Sequence, residues 1–138
     1  MDPLADILKP TVLLADDDPY VVSALSRLFK KEGLSFISDT SSENVMTLAR
    51  RFNPEVIILD VHQAVGGCDL LGMLKSDPAT RDITVIMFSG EEDQQTRHDC
   101  FELGAEDYVM KPVEPTFITK VVRLAQLSHR ERNGPALH

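Results

Sequence analysis

The sequence predicts an α/β domain, a parallel β-sheet of five strands, doubly wound, with helices on both faces. Three observations point there. Short apolar runs alternate with longer stretches of helical period along the 138 residues. Two runs, Val56-Ile57-Ile58-Leu59 and Val85-Ile86-Met87-Phe88, are continuously apolar, as strands covered on both faces must be. Hydrophobic residues make up 43% of the chain, enough for a sizeable core in one domain with little left for a second. Alternation at this spacing requires right-handed crossovers between parallel strands.

The first strand is Val12-Leu13-Leu14-Ala15. Asp18-Pro19 then caps and starts a helix, because a carboxylate satisfies free backbone N–H groups and proline suits the first helical position. That helix turns Val21, Val22, Leu25, Leu28 and Phe29 inward and stops at Gly33. The second strand is Leu34-Ser35-Phe36-Ile37. Ser41 or Ser42 opens the second helix, with Val45, Leu48, Ala49 and Phe52 inward, ended before Pro54. Val56–Leu59 is the third strand, and a helix from Gly67 to Lys75 follows. The fourth strand spans Ile83 to Phe88, with Met87 and Phe88 as core. Its helix runs from Glu91 to Leu103, stopped by Gly104. Asp107-Tyr108-Val109-Met110 is the fifth strand. The last helix begins at Glu114-Pro115 and buries Phe117, Val121, Leu124 and Ala125. Residues 10–128 form the domain, and 129–138 read as a polar tail, a fraying helix end or the start of a linker.

Charge and cysteine usage exclude several classes. The 22 acidic residues outnumber 14 basic ones, for a net charge of -8, the wrong sign for direct nucleic-acid binding. The surplus lies before Lys120, since Lys120, Arg123, Arg130 and Arg132 face only Glu131 afterwards. Cys68 and Cys100 are far apart in sequence and neither belongs to a CxxC pair, so no disulfide framework or zinc ribbon is indicated. They read as two semi-buried thiols in a reducing compartment. The first residues lack a basic and then apolar leader, and apolar runs of about four residues fall far short of the ~20 that span a bilayer. A cytoplasmic protein without membrane contact is expected.

Ligands of open α/β sheets bind beyond the carboxyl ends of the strands. Asp16, Asp17 and Asp18 follow the first strand, Asp60 the third, Ser89 the fourth and Lys111 the fifth. The second delivers nothing obvious. Taken singly, Asp18 is most simply a helix cap, and Ser89 ahead of Glu92 fits a capping box. Tyr108 alone would be a packed strand aromatic. Four coincident strand ends are not explained that way. Three converging carboxylates repel one another unless a cation sits among them, and hard oxygen ligands suit Mg²⁺, with Mn²⁺ as substitute. Lys111 is a point cation suited to a phosphoryl oxygen. Ser89 adds a hydroxyl, and Gly90 leaves space beside it. Asp60, alone at the end of the most apolar strand, is the candidate nucleophile for a phosphoryl group, with the Asp16/Asp17 pair on the metal.

In this order and spacing the residues resemble the receiver domain of two-component response regulators. The motifs are Val12-Leu-Leu-Ala-Asp-Asp-Asp-Pro19, Val56-Ile-Ile-Leu-Asp60, Val85-Ile-Met-Phe-Ser-Gly90 and Gly104-Ala-Glu-Asp-Tyr-Val-Met-Lys-Pro112, and the likeness covers Thr11 to Leu127. The resemblance implies a flavodoxin-like (βα)5 fold with strand order 2-1-3-4-5. It implies that Asp60 accepts a phosphoryl group from a sensor histidine kinase or a histidine phosphotransfer protein. Asp17 would bind the metal directly, Asp16 mainly through water, and the His62 backbone carbonyl would complete the set. Ser89, Gly90 and Lys111 would hold the phosphoryl group, and Tyr108 would turn inward as Ser89 moves. A cis bond before Pro112 would aim the lysine. The output face would be the fourth helix, fifth strand and fifth helix, acting on a downstream effector, a fused output domain or a second copy in a phosphorylation-dependent homodimer. Such a chain is not an enzyme beyond its own phosphotransfer and dephosphorylation.

One stretch departs from the family pattern. After the acceptor the chain reads Asp60-Val-His-Gln-Ala-Val-Gly-Gly67, with Ala64 where proline is usual and one residue fewer before Gly67. A more mobile loop and an altered phosphoryl lifetime are expected, with His62 and Glu91 flanking the path of attacking water. The alternatives are a degenerate receiver working as a phosphorylation-independent interaction module, and an aspartyl-nucleophile Mg²⁺ phosphohydrolase. The second lacks an acid two residues past Asp60 and the length for a cap domain. An FMN-binding module would need a Ser/Thr/Gly phosphate loop where three aspartates stand.

Overall fold

The computed structural model describes residues 9–63 and 65–133, and its elements alternate as the sequence predicts. The strands are β1 (Thr11–Ala15), β2 (Ser35–Asp39), β3 (Val56–Asp60), β4 (Thr84–Ser89) and β5 (Asp107–Met110). The helices are α1 (Pro19–Lys31), α2 (Val45–Phe52), α3 (Gly67–Ser76), α4 (Gln94–Glu102) and α5 (Pro115–Asn133). All strand pairs are parallel, in the order β2-β1-β3-β4-β5. This is the doubly wound, flavodoxin-like sheet.

Alternation along each strand divides the core. Leu13, Ile57, Leu59, Val85 and Met87 point to one face, where α2, α3 and α4 bring Val45, Ala49, Leu70, Leu71, Leu74 and Cys100. Val12, Leu14, Val56, Ile58, Ile86 and Phe88 point to the other, against Leu25 and Phe29 of α1 and Phe117, Val121 and Ala125 of α5. Each such large apolar side chain contributes about 1.5–3 kcal/mol by leaving water. Every residue of β3 is buried, which carries Asp60 at its end into the interior. No described helix is long and apolar enough to cross a membrane.

Local chemistry sets the helix ends. Asp18 stays extended and accepts the Tyr20 N–H at 2.9 Å, with Pro19 in the first turn. Asp18→Ala is expected to destabilise the fold by about 1 kcal/mol, seen as a lower urea midpoint at unchanged slope. At the far end Gly33 adopts φ +84°, and the Leu34 N–H returns to the Phe29 carbonyl at 3.0 Å. The second helix opens at Val45 instead of at Ser41 or Ser42. The Asp39 carboxylate takes the Ser41 N–H, the Ser41 hydroxyl and the Asn44 N–H, and Ser42 sits at φ 60°. The fourth begins at Gln94 rather than Glu91, because Asp93 is its cap, accepting from the Gln95 and Thr96 N–H groups.

Two side chains expected inward are exposed. Leu28 is 41% exposed, since Leu25 and Phe29 define the buried line of α1 and Leu28 lies at its margin. Phe52 is 47% exposed. It ends α2, Asn53 turns into the left-handed region at φ 45°, and the Arg51 guanidinium stands 5.4 Å over the ring.

The last helix continues past Leu127 to Asn133, so of the readings for this segment the helix end holds over residues 129–133. They are also docked. Arg132 donates to Glu55 Oε1 at 2.9 Å and to the Asn53 and Pro54 carbonyls. Glu55 Oε2 takes the Thr11 N–H at 2.7 Å, so this buried carboxylate is satisfied on both oxygens. The anchor lies at the amino ends of β1 and β3, the sheet edge opposite the acidic residues. Residues 134–138 are outside the described ones.

Candidate functional site

The carboxyl edge of the sheet assembles from the ends of β1, β3, β4 and β5. Asp16 follows β1 and is fully buried; Asp60 ends β3 and is 4% exposed; Asp17 is exposed. One carboxylate oxygen from each lies within 4.8 Å of the others. Lys111, just past β5, reaches in between. Its Nζ is 2.9 Å from Asp16 Oδ2 and 3.4 Å from Asp60 Oδ2. The Lys111 N–H donates to the Ser89 carbonyl at 2.7 Å, and the Lys111-Pro112 peptide bond is cis.

Each buried carboxylate is held in place by the backbone. Asp16 Oδ1 accepts the Asp18 N–H at 2.9 Å, so Asp18 serves both the site and its helix. Asp60 Oδ1 accepts the His62 N–H at 3.2 Å. Burial raises the Asp60 pKa above the ordinary carboxylate value and the Asp16 charge adds to this, against the opposing His62 N–H and Lys111. Burial alone would lower Lys111, yet Asp16 and then Asp60 outweigh it and hold the ammonium above its usual value. Lys111 is therefore a fixed positive charge near neutrality.

The donor set fits a hard divalent cation. It consists of oxygens only, one carboxylate faces solvent, and Asp16 Oδ2 has no hydrogen-bond partner beyond its ion pair. Asp60 binds its proton more tightly folded than unfolded. Stability of the metal-free chain therefore falls as pH rises from the ordinary value of 3.8 through the raised one. Asp60→Asn is expected to raise the Tm of the metal-free chain near neutrality and to leave it unchanged below both values. Thermal melts across that range check this.

Ser89 and Tyr108 share an acceptor. The Ser89 hydroxyl donates to the Glu91 carbonyl at 2.9 Å, and the Tyr108 hydroxyl reaches the same carbonyl at 3.4 Å. Ser89 Oγ also accepts the Glu91 N–H at 3.1 Å, so its hydroxyl binds the loop and not Asp60. The Tyr108 ring is buried in this structure, with the Arg97 guanidinium 5.7 Å from its centre. A Cβ built on Gly90 meets nothing within 4 Å, leaving open space beside the serine. His62 Nε2 and Glu91 Oε2 stand 4.0 Å apart, both side chains in solvent.

The loop after Asp60 is tied on both sides of Ala64, which itself lies outside the described residues. Gln63 Nε2 donates to the Asp60 carbonyl at 2.8 Å, the Val65 N–H to Ser42 Oγ at 3.0 Å, and the Gly67 N–H to the Val61 carbonyl at 3.1 Å. Sequence reasoning missed Ser42 and Gln63, and credited β2 with no polar group. Asp39 does end β2, but its carboxylate is spent on the following turn. The Asp-Thr-Ser-Ser run was the available signal for such a turn.

A parallel five-stranded sheet that gathers three carboxylates, a lysine and a serine at its carboxyl edge defines a receiver-type domain. Residues 12–123 match the family model of the response regulator receiver domain, and the chain belongs to that family. It is similar to the DNA-binding response regulator MtrA of Mycolicibacterium smegmatis, 28% identical over 132 residues, 95% of this chain and 56% of that protein. It is also similar to the two-component response regulator ORR3 of Oryza sativa subsp. indica, 32% identical across 82% of this chain and 88% of that one. Among solved structures, the signal receiver domain of a response regulator from Colwellia psychrerythraea 34H superposes with a TM-score of 0.78 at 24% identity, covering 86% of this chain and 98% of that one. The chemotaxis protein CheY4 of Vibrio cholerae gives 0.77 at 19%, over 85% and 98%. These two likenesses concern the fold alone. The chain spans about half the length of MtrA and of the heme response regulator HssR.

Proposed function

We propose that the chain is a phosphoacceptor: Asp60 takes a phosphoryl group from the phosphohistidine of a sensor histidine kinase or a histidine phosphotransfer protein. The observation that carries this reading is the placement of Asp60 between Asp16 and Lys111, at the end of a wholly buried strand. An Asp60 oxygen attacks phosphorus as the phosphorus–nitrogen bond to the imidazole breaks, and the imidazole leaves as the neutral base once protonated. A bound Mg²⁺, or Mn²⁺, supplies charge neutralisation for the phosphoryl oxygens. Asp17 would bind it directly, Asp16 mainly through water, and the Asp60 carboxylate and His62 backbone carbonyl would complete the set. Lys111 holds a phosphoryl oxygen, and Gly90 leaves room for the group.

Ser89 must exchange the Glu91 carbonyl for the phosphoryl group. Its movement removes one of the two hydroxyls on that carbonyl, which is how occupancy of Asp60 reaches Tyr108 and the face made by α4, β5 and α5. That face passes the signal to an effector, an output domain or a second copy of the chain. His62 and Glu91 flank the path of the water that hydrolyses the acyl phosphate. The chain itself catalyses nothing beyond its own phosphotransfer and dephosphorylation.

Incubation with acetyl phosphate, followed by intact mass, tests the reading. One phosphoryl adduct is expected with Mg²⁺ and none with a chelator. Asp17→Ala should remove the metal dependence together with the adduct. Absence of any adduct with Mg²⁺ would mark a phosphorylation-independent interaction module instead.

A further inference from the structure

Cys68 and Cys100, which nothing in the site requires, meet across two helices. Cys68 lies in the first turn of α3 and Cys100 in the last turn of α4, on the face of the sheet that α2, α3 and α4 cover. Their sulfurs are 2.7 Å apart, well inside ordinary non-bonded sulfur contact. Both are free thiols, Cys100 buried and Cys68 partly exposed. We propose that this pair is an oxidisable dithiol, a modification site at which a peroxide links Cys68 to Cys100 and so staples α3 to α4.

The geometry divides the roles. Cys68 is the partly exposed member of the pair and the one an oxidant meets first. Cys100 is held back. Burial, and then the neighbouring Cys68, push its thiol up to about 12, so it does not react first. With hydrogen peroxide, the Cys68 thiolate attacks one oxygen and becomes a sulfenic acid, releasing hydroxide. The Cys100 sulfur then displaces the sulfenic oxygen. A sulfur–sulfur bond forms, the sulfur–oxygen bond breaks, and the Cys100 proton leaves with that oxygen as water. Two thiols and one peroxide thus give one disulfide and two waters. The sulfurs close only from 2.7 Å to the bonded distance of about 2.05 Å. A dithiol reductant reverses the bond by exchange, as for intracellular disulfides that sense redox state.

The staple would reach both loops at the acidic edge. α3 starts at Gly67, whose N–H is bound to the Val61 carbonyl beside Asp60, and α4 follows the loop carrying Glu91, which holds Ser89. No carboxylate of the site takes part, so the chemistry of the pair is read independently of phosphoryl transfer.

The test uses the whole reduced chain, dilute hydrogen peroxide and alkylation in denaturant. Both thiols are expected to disappear together in the monomer, with a mass loss of two hydrogens. Non-reducing proteolysis should yield one cross-linked peptide pair containing Cys68 and Cys100, and dithiothreitol should restore both thiols. In Cys68→Ser the remaining thiol should oxidise at least about tenfold more slowly than Cys68 does in Cys100→Ser, where a sulfenic acid is trapped by dimedone. Oxidation of Cys68 alone with Cys100 left free in the unmodified chain, or a cross-link formed only between chains, would overturn the proposal.

Discussion

Asp60→Asn is expected to give a folded chain that takes up no phosphoryl group from acetyl phosphate, with or without Mg²⁺. The loss should be complete. Asparagine keeps the shape of the side chain and can still accept the His62 N–H that now reaches Asp60 Oδ1. It removes the nucleophilic oxygen and one of the three carboxylates that lie within 4.8 Å of one another. The melting experiment above separates this loss from misfolding, because relief of a buried charge whose pKa is already raised should leave the metal-free variant more stable. An Asp60→Asn chain that is stabilised yet unlabelled points to chemistry at this one residue. A stabilised chain that still labels would place the acceptor elsewhere.

Gly67→Ala carries the second large effect, and it acts through space alone. A Cβ at Gly67 would stand 2.6 Å from the Asp60 carbonyl oxygen and 2.9 Å from Val61 Cα. Both obstacles are backbone, and both belong to the segment that presents Asp60. The start of α3 must retreat or the end of β3 must shift. The expected cost is about 1–3 kcal/mol of stability, as for other overpacked interiors. A slower rate of phosphoryl uptake should accompany it, because Asp60 moves relative to Asp16 and Lys111. Gly72, within the same helix, is the control. A Cβ there meets nothing within 4 Å, and Gly72→Ala should stabilise the chain by up to about 1 kcal/mol through helix propensity and the unfolded state. Urea unfolding of the two variants side by side isolates the contact from the residue type.

The sheet was legible because parallel strands covered on both faces must be apolar without interruption, and β3 and β4 meet that demand. The site was legible for a related reason. Where such a run ends in Asp60 or Ser89, the polar residue marks the carboxyl end of its strand, where ligands of open α/β sheets bind, even though both side chains are buried there. What escaped were interactions between segments distant in the chain. Arg132 reaches back to Asn53 and Glu55, which makes an ordered helix end out of a stretch whose composition reads as a tail. Ser42 looks like a helix cap, but its hydroxyl accepts the Val65 N–H from the loop after Asp60. Cys68 and Cys100 share no local motif, and only the packing of α3 beside α4 brings their sulfurs together. Phe52 was misplaced by a smaller margin, since the helical period that points it inward breaks at Asn53. In each case local pattern assigns the type of element, while the partner is chosen by tertiary packing.

On the proposed reading one carboxylate, Asp60, bears the phosphoryl group. Borohydride reduction tests it most directly, because it converts an aspartyl phosphate to homoserine and leaves free aspartates untouched. After treatment with acetyl phosphate and Mg²⁺, peptide sequencing by mass spectrometry should find homoserine at position 60 and intact aspartate at positions 16 and 17. Homoserine at either of those positions, or at none of the three in a chain that carries the phosphoryl mass, would contradict the account.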